Sequence, residues 1–161
     1  MGRPPKRSAQ SAGLVLYRRR DGKLEVLLVH PGGPFWQKRD DGAWSIPKGE
    51  IAENEIGIEV ARREFHEELG TAAPDGGATP LGEVRQAGGK LVHAWAVPGD
   101  LDVSRMTSNS FELEWPPRSG RMQTFPEVDR AEWFGLQAAR EKINPAQAEL
   151  LDRLAEIRDT A

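Results

Sequence analysis

The sequence has no cysteine among its 161 residues. Disulfide bonds, thiolate chemistry and zinc sites built on cysteine are therefore excluded. Such a composition suits a reducing compartment, so we expect a cytoplasmic protein. No apolar run approaches the roughly 20 residues that a membrane-spanning helix needs, and the basic N-terminus lacks the apolar segment of a signal peptide. The sequence therefore predicts a protein that does not enter a membrane.

An excess of charge of one sign is also missing. The formal net charge is −3, with 29% charged and 38% hydrophobic residues, as in an ordinary globular protein. A protein that coats nucleic acid is usually more basic, so we expect no stable nucleic-acid binding. The length predicts one domain over residues 12–161, preceded by a flexible basic tail over residues 1–11. The sequence leaves open whether the protein is a monomer or a homodimer.

The first half of the chain predicts a hairpin and then a helix. Strands are predicted over 13–19 and 24–30, because both are rich in large apolar residues and a turn at Asp21-Gly22 separates them. Over 54–69 the apolar residues recur at helical spacing, and Gly70 is a plausible end of that helix.

The second half of the chain repeats this alternation of strands and helices. Further strands are predicted over 81–86, 90–97 and 111–115, and a helix is predicted to begin near Leu136. A last helix is predicted to start at Asn144-Pro145. The segments 98–110 and 116–127 are predicted as irregular. This order of elements indicates an α+β fold, in which helices pack against a mixed β-sheet.

The predicted helix over 54–69 carries three carboxylates on one side. Glu64, Glu67 and Glu68 share an arc of about 100° at 100° per residue. Like charges this close repel each other, which is costly unless a cation neutralises them. Mg²⁺ prefers oxygen ligands of this kind together with water and substrate phosphates. From the carboxylates alone, an ordinary solvated acidic face is the simpler interpretation.

The spacing around the carboxylates favours a function. Residues 49–71 read GEIAENEIGIEVARREFHEELGT. This segment resembles the Nudix box, G-x5-E-x7-R-E-U-x-E-E-x-G-U, in which U is apolar. Every fixed letter of the motif is present, and Thr71 at the last apolar position is the one departure. The approach W-x-I-P-K-G at 44–49 and the flanking strands also agree with that family, so the resemblance implies an α/β/α sandwich.

The resemblance implies roles for individual residues. Glu64, Glu67 and Glu68 match the glutamates of the motif that bind metal, and Glu64 also matches the position of the catalytic base or of the group that orients it. Arg63 and Glu55 match two residues of the motif that form an ion pair and brace its loop and helix. The expected cofactor is Mg²⁺, with Mn²⁺ as a possible substitute.

Two further parts of the expected site lie near the ends of the motif. Gly49 is expected to give the chain its bend, and the backbone carbonyl of Lys48 is expected to coordinate metal. Members of this family often recruit another carboxylate from a later loop. Glu127 is our choice for this role, while Glu112 and Glu114 remain alternatives.

The residues that contact substrate are less sharply indicated. A polyphosphate needs cations beyond the metal, and Lys48, Arg118 and Arg121 are the candidates. The segment around the two arginines is equally compatible with a solvated loop. An aromatic ring near the motif is expected to stack on a nucleobase, and Trp44 is the candidate that we name for substrate binding; Phe35 and Trp36 are also near. Tryptophan in a small domain more often belongs to the core.

Together these observations predict an enzyme. The expected reaction is Mg²⁺-dependent hydrolysis of a nucleoside diphosphate linked to another moiety, such as a dinucleoside polyphosphate or a nucleoside triphosphate. The rival from another class is a catalytically silent module of the same fold that binds a nucleotide. Because such modules usually lose one or more glutamates of the motif, the intact set favours the enzyme.

Overall fold

The computed structural model describes residues 9–159, with side chains described for residues 9–157. Within this range the strands are β1 (Gln10–Arg20), β2 (Lys23–Pro31), β3 (Lys48–Glu50), β4 (Thr79–Arg85), β5 (Leu91–Pro98), β6 (Ser110–Glu114), β7 (Met122–Pro126) and β8 (Val128–Gly135). The α-helices in the same range are α1 (Gly57–Leu69), α2 (Leu136–Lys142) and α3 (Ala148–Asp159).

The main sheet is mixed, as predicted. Its strand order is β4-β5-β1-β2-β8, and β3 pairs with the first residues of β1. β1 runs parallel to β5, while the other pairs of this sheet are antiparallel. β6 and β7 form a separate two-stranded hairpin. Because β3 lies beside the start of β1 and leads towards α1, the sheet fixes where the chain enters the helix.

Alternating side chains of the central strands supply two hydrophobic cores. In β1, Val15 lies in the core shared with α2 and α3, whereas Leu14 and Leu16 lie in the core under α1. In β2, Leu28 and Leu27 divide between the same two cores. This period of two is that of a strand covered on both faces. The result is an α/β/α sandwich, so the predicted fold class is confirmed.

Helix α1 follows its apolar pattern closely. Val60, Ala61, Phe65 and Leu69 are its buried residues and pack on the sheet. The helix begins at Gly57 rather than at residue 54. Its end is set by Gly70, which has a φ of 75° and whose N–H donates to the carbonyl of His66. Glycine adopts this left-handed conformation without steric cost, which explains why the helix stops there.

Two predictions from the sequence need correction. Strand β1 already includes Gln10 and Ser11, so the last residues of the predicted tail belong to the sheet; residues 1–8 lie outside the described residues. The segment predicted as a loop over 116–127 contains β7, which pairs with β6 through contacts such as Phe111 with Phe125. The exposed polar residues of β7 gave no alternating pattern, and only pairing with β6 reveals the strand.

The helices show no sign of a membrane span. Among residues 9–159, none of them combines the length and the apolar character that crossing a bilayer would require.

Candidate active site

The residue at position 49 allows β3 and α1 to meet at close range. Gly49 pairs with Ala12 in the sheet, and a Cβ atom added to it would overlap the carboxylate group of Glu64. The φ of Gly49 is not in the left-handed region. No positive φ therefore requires a glycine at this position, and the expected bend at Gly49 stays a prediction. Glycine is required here because the Glu64 carboxylate packs directly against the backbone.

Glu68 is anchored to the chain just before this glycine. The backbone N–H of Lys48 donates to the Glu68 carboxylate at 3.1 Å. Burial raises the pKa of Glu68 to about 8, although the charge and the N–H of Lys48 act in the opposite direction. The contact fixes the Glu68 side chain beside the backbone nitrogen of Lys48, the residue whose carbonyl is predicted as a metal ligand.

Glu64 and Glu67 are neighbours on α1, and each carboxylate lies within the electrostatic influence of the other. Burial is the main cause that raises the pKa of Glu64, and the charge of Glu67 adds to it. Ionising both of two neighbouring carboxylates is repulsive, which favours the binding of a cation beside them. The predicted clustering of the carboxylates on one side of α1 is thus present in the structure.

An ion pair braces the segment between β3 and α1. Arg63 donates to the carboxylate of Glu55, and the N–H of Ala52 donates to the same carboxylate at 2.7 Å. The hydrogen bond from Arg63 is the main cause that lowers the pKa of Glu55. Arg63 also lies 3.6 Å from Glu64. This is the pairing that the motif predicted, and it places a cation next to the carboxylates.

Glu127 comes to the carboxylates from a distant part of the chain. After burial and nearer charges, its charge contributes to the raised pKa of both Glu64 and Glu68. Its N–H donates to the carbonyl of Asn109 at 2.7 Å, and the N–H of Asn109 donates to the carbonyl of Glu67 at 3.0 Å. The backbone of Asn109 therefore links Glu127 to α1.

The rival carboxylates are placed differently. Glu112 is exposed and lies opposite Thr124 on the hairpin. Glu114 accepts a hydrogen bond from the N–H of Gly120 near the tip. Neither residue contributes to the raised pKa of Glu64 or Glu68. Glu127 is therefore the better supported of the three.

These carboxylates fit a divalent cation by their chemistry. Glu64, Glu67, Glu68 and Glu127 offer oxygen ligands of the kind that Mg²⁺ prefers. Burial is the main cause of the raised pKa of Glu64 and Glu68, and the charges of neighbouring carboxylates add to it. Within residues 9–159, no three acidic or histidine side chains already point at one common position. The side chains would have to rotate towards a bound ion, as flexible glutamates do.

Of the predicted phosphate contacts, the structure brings only Lys48 to the site. Burial lowers the pKa of Lys48, while the charges of Glu68 and Glu64 act in the opposite direction. Arg118 and Arg121 are exposed residues in the connection between β6 and β7. Glu127 follows the end of β7, and at the usual rise per residue of a strand Arg121 lies about 16 Å from that end. The fold therefore does not gather the two arginines at the carboxylates.

Trp44 does not belong to the substrate site, so that prediction is wrong. Its side chain is only 1% exposed, and its ring packs against His30 and Phe134 in edge-to-face contacts. Its indole N–H donates to Asp40 at 2.9 Å. The ring is satisfied on all sides as a core residue, and no face remains for a nucleobase.

The exposed aromatic residues Phe35 and Trp36 lie in the loop that follows β2. Phe35 is 60% exposed and contacts the ring of Trp115 edge to face. The guanidinium group of Arg39 lies over the ring of Trp36, which is 37% exposed. Phe35 and Trp36 thus keep the exposed surface that stacking on a base requires.

Sequence reasoning missed the segment over 107–109. Besides the contacts of Asn109, the N–H of Thr107 donates to the carbonyl of Leu69 at 3.2 Å. The hydroxyl of Ser108 accepts from the N–H of Val128 at 3.0 Å and donates to the carbonyl of Asn109 at 2.8 Å. The sequence carries no signal for this role, because the contacts are made by backbone groups and one hydroxyl.

The sequence matches a family profile, and the fold matches solved structures, over nearly the whole chain. The sequence profile of the NUDIX domain family matches residues 7–154. No curated protein shows significant sequence similarity to the chain.

Three solved structures illustrate the similarity in fold. An Ap4A hydrolase of C. elegans in a binary complex superposes with a TM-score of 0.64 at 23% identity, covering 95% of this chain and 99% of that chain. The NUDIX domain of Shewanella oneidensis NrtR, complexed with ADP ribose, superposes with a TM-score of 0.63 at 19% identity. The match covers 94% of this chain and 88% of that chain. The C-terminal domain of mouse MUTYH, in complex with human PCNA, superposes with a TM-score of 0.60 at 18% identity. The match covers 95% of this chain and 91% of that chain.

Proposed function

Because this chain belongs to the NUDIX domain family and is a hydrolase of phosphoanhydride bonds, we propose that it cleaves a nucleoside diphosphate linked to another moiety with the help of Mg²⁺. A dinucleoside polyphosphate is the substrate class we favour, and a nucleoside triphosphate is the next. The observation that carries the proposal is the complete set of motif glutamates on α1, together with the influence of the charge of Glu127 on the pKa of Glu64 and of Glu68.

The residues of the site have distinct tasks in this proposal. Glu64, Glu67 and Glu68 would hold the cation, with Glu127 completing the set. Bound Mg²⁺ supplies neutralisation of the diphosphate oxygens and makes water a stronger acid. Glu64 accepts the proton of the attacking water at its carboxylate oxygen, which suits a carboxyl group of raised pKa.

The cations beside the carboxylates bind the substrate. The ammonium group of Lys48 lies near Glu68 and Glu64, where it contacts a phosphate oxygen and stabilises the negative charge of the leaving phosphate. The Arg63–Glu55 pair holds the start of α1 in place, so the carboxylates keep their positions while the substrate binds.

The surroundings of the enzyme follow from the same reasoning. We propose a small nucleotide or polyphosphate as its ligand and the cytoplasm as its location, where such compounds and Mg²⁺ occur together. Mn²⁺ would replace Mg²⁺, because it accepts the same oxygen ligands.

The experiment is a panel of diphosphate compounds incubated with Mg²⁺, with Mn²⁺ and with a chelator in ¹⁸O-labelled water. Mass spectrometry of the products identifies the bond that is cut and the phosphorus that water attacks. We expect turnover of dinucleoside polyphosphates that stops on chelation and in the variant Glu64→Gln. Nucleotide binding without turnover of any compound would instead identify the silent binding module.

A further inference from the structure

A cavity of about 700 Å³ runs along α1 next to the carboxylates. One wall consists of helix residues, namely Arg62, Arg63, His66 and Glu67. The loop that follows the helix and the segment 107–109 form the other walls. Because Glu67 belongs both to the carboxylate cluster and to this wall, the cavity opens onto the proposed site of reaction.

Arg62 brings positive charge to this cavity. Its terminal nitrogens lie 3.4 Å from the backbone carbonyls of Pro74 and Gly76. Within the described residues, no carboxylate lies at ion-pair distance from Arg62, whereas Arg63 is paired with Glu55. Arg62 is thus held in place by neutral groups, and its charge stays available to an anionic ligand.

Neutral polar groups complete the lining. His66, Thr107 and Asn109 line the cavity and carry an imidazole, a hydroxyl and an amide. Such groups donate hydrogen bonds to phosphate oxygens. Asp75 and Glu67 are the carboxylates of the lining, and Glu67 is one of the residues that would be neutralised by the cation. The chemistry of the walls suits an elongated anion that reaches the cavity from the carboxylates.

We propose that this cavity binds the phosphate chain of the leaving half of the substrate, with Arg62 as its ionic contact and His66 beside it. The inference rests on the proposed function, because it places the cavity on one side of the bond that is cut. It makes Arg62 a residue that determines specificity: compounds with further phosphates beyond the scissile bond bind more tightly than compounds without them.

Binding can be tested apart from catalysis. The probe is inorganic tripolyphosphate, added to the metal-free protein in the presence of a chelator and followed by the NMR signals of the histidine rings. His66 faces the cavity, whereas His30 is buried against Asp129 and His93 is bonded to Gln10. We expect the ring signals of His66 to move on titration while those of His30 and His93 stay in place.

Variants of the arginine decide whether the contact is ionic. Arg62→Gln should weaken tripolyphosphate binding about tenfold, as expected for the loss of one charge-assisted hydrogen bond. Arg62→Lys keeps the charge and should recover part of the affinity. Arg105→Gln is the matched control, because Arg105 is exposed, pairs with Asp102 and lies outside the cavity. The thermal midpoint of each variant shows whether the loop held by Arg62 stays folded.

The outcomes separate this inference from the proposed function. Unmoved His66 signals, or equal affinities of the wild type and a folded Arg62→Gln, would overturn the cavity as a phosphate site. With an active enzyme, Arg62→Gln should raise KM for long phosphate chains about tenfold and leave kcat nearly unchanged. If tripolyphosphate binding depends on Arg62 while no compound of the panel is hydrolysed, the proposed reaction fails and the binding site stands.

Discussion

The carboxylates of the site come from two regions that are held in different ways. Between Lys48 and Gly70 the deciding contacts are local, since Arg63 binds Glu55 and the N–H of Lys48 binds Glu68 within the same stretch of chain. Glu127 instead depends on bonds to distant segments, because its N–H donates to Asn109 and its carbonyl accepts from Gly32 at 2.9 Å.

This difference explains why a motif captures only part of a site. A local contact needs a fixed spacing between two residues, so it leaves a pattern that can be read from the sequence. A contact between distant backbone groups fixes position equally well, yet any residue with an N–H can make it. The two regions should therefore respond differently to substitution.

The largest effect is expected in the helix. Glu67→Gln removes a charge from the carboxylate cluster while keeping the shape of the side chain, and kcat should fall at least about a hundredfold. Steady-state kinetics with the substrate found in the panel measure the loss. Glu59→Gln on the exposed part of the same helix is the control and should keep full activity. Wild-type turnover by a folded Glu67→Gln would remove this glutamate from the site.

The carboxylate from the second region should matter less. Glu127→Gln is expected to lower kcat or the affinity for Mg²⁺ about tenfold to a hundredfold, as for other groups that assist a metal site. Titration of activity against Mg²⁺ separates the two effects. Glu112→Gln and Glu114→Gln serve as controls on the neighbouring hairpin. If either of these variants loses more activity than Glu127→Gln, the extra carboxylate has been assigned to the wrong residue.

A methyl group added to the first region should disturb both the fold and the site. Gly49→Ala places a Cβ atom where the Glu64 carboxylate packs, so stability should fall by about 1–3 kcal/mol, the usual cost of overpacking. Urea denaturation measures the change. Gly77→Ala is the control, because no heavy atom lies within 4 Å of its added Cβ. Equal stability of the two variants would contradict the close approach of Glu64.

The link to the second region should be weaker. Ser108→Ala removes the hydroxyl that bonds the N–H of Val128 and the carbonyl of Asn109, which should cost about 1 kcal/mol of stability. Val128 follows Glu127, so the loss of this hydrogen bond should loosen the position of the Glu127 carboxylate. We therefore expect kcat to fall a few fold as well. Ser110→Ala, an exposed position on β6, is the control. An unchanged denaturation midpoint would show that the hydroxyl does not hold this segment.

A further effect is a dependence of stability on pH in the metal-free protein. Burial raises the pKa of Glu68 from its ordinary 4.5 to about 8, so between these values the folded chain keeps a proton that the unfolded chain releases. The thermal midpoint should therefore fall as pH rises from about 4.5 to 8. In Glu68→Gln this part of the pH dependence should vanish, while Glu59→Gln should keep it. An unchanged profile in Glu68→Gln would exclude Glu68 as the source.

Much of the first region was predictable from the sequence, and less of the second. The helical spacing of Ala61, Phe65 and Leu69 predicted the buried side of α1, and the motif predicted the carboxylates and the Arg63 pair. The segment 116–127 was predicted as irregular although it contains β7, and Trp44 was wrongly predicted to bind substrate. A strand with exposed polar residues has no period, and a tryptophan near a motif has the same letter whether it is buried or free.

The sequence by itself determined the fold class, the family and which carboxylates share one side of α1, because these depend on spacing along a single element. The tertiary structure alone decided that Gly49 serves close packing, that Asn109 ties Glu127 to the helix, and that Arg62 faces a cavity. The reason is physical: these features arise where segments far apart in the chain touch, and no local pattern records such contacts.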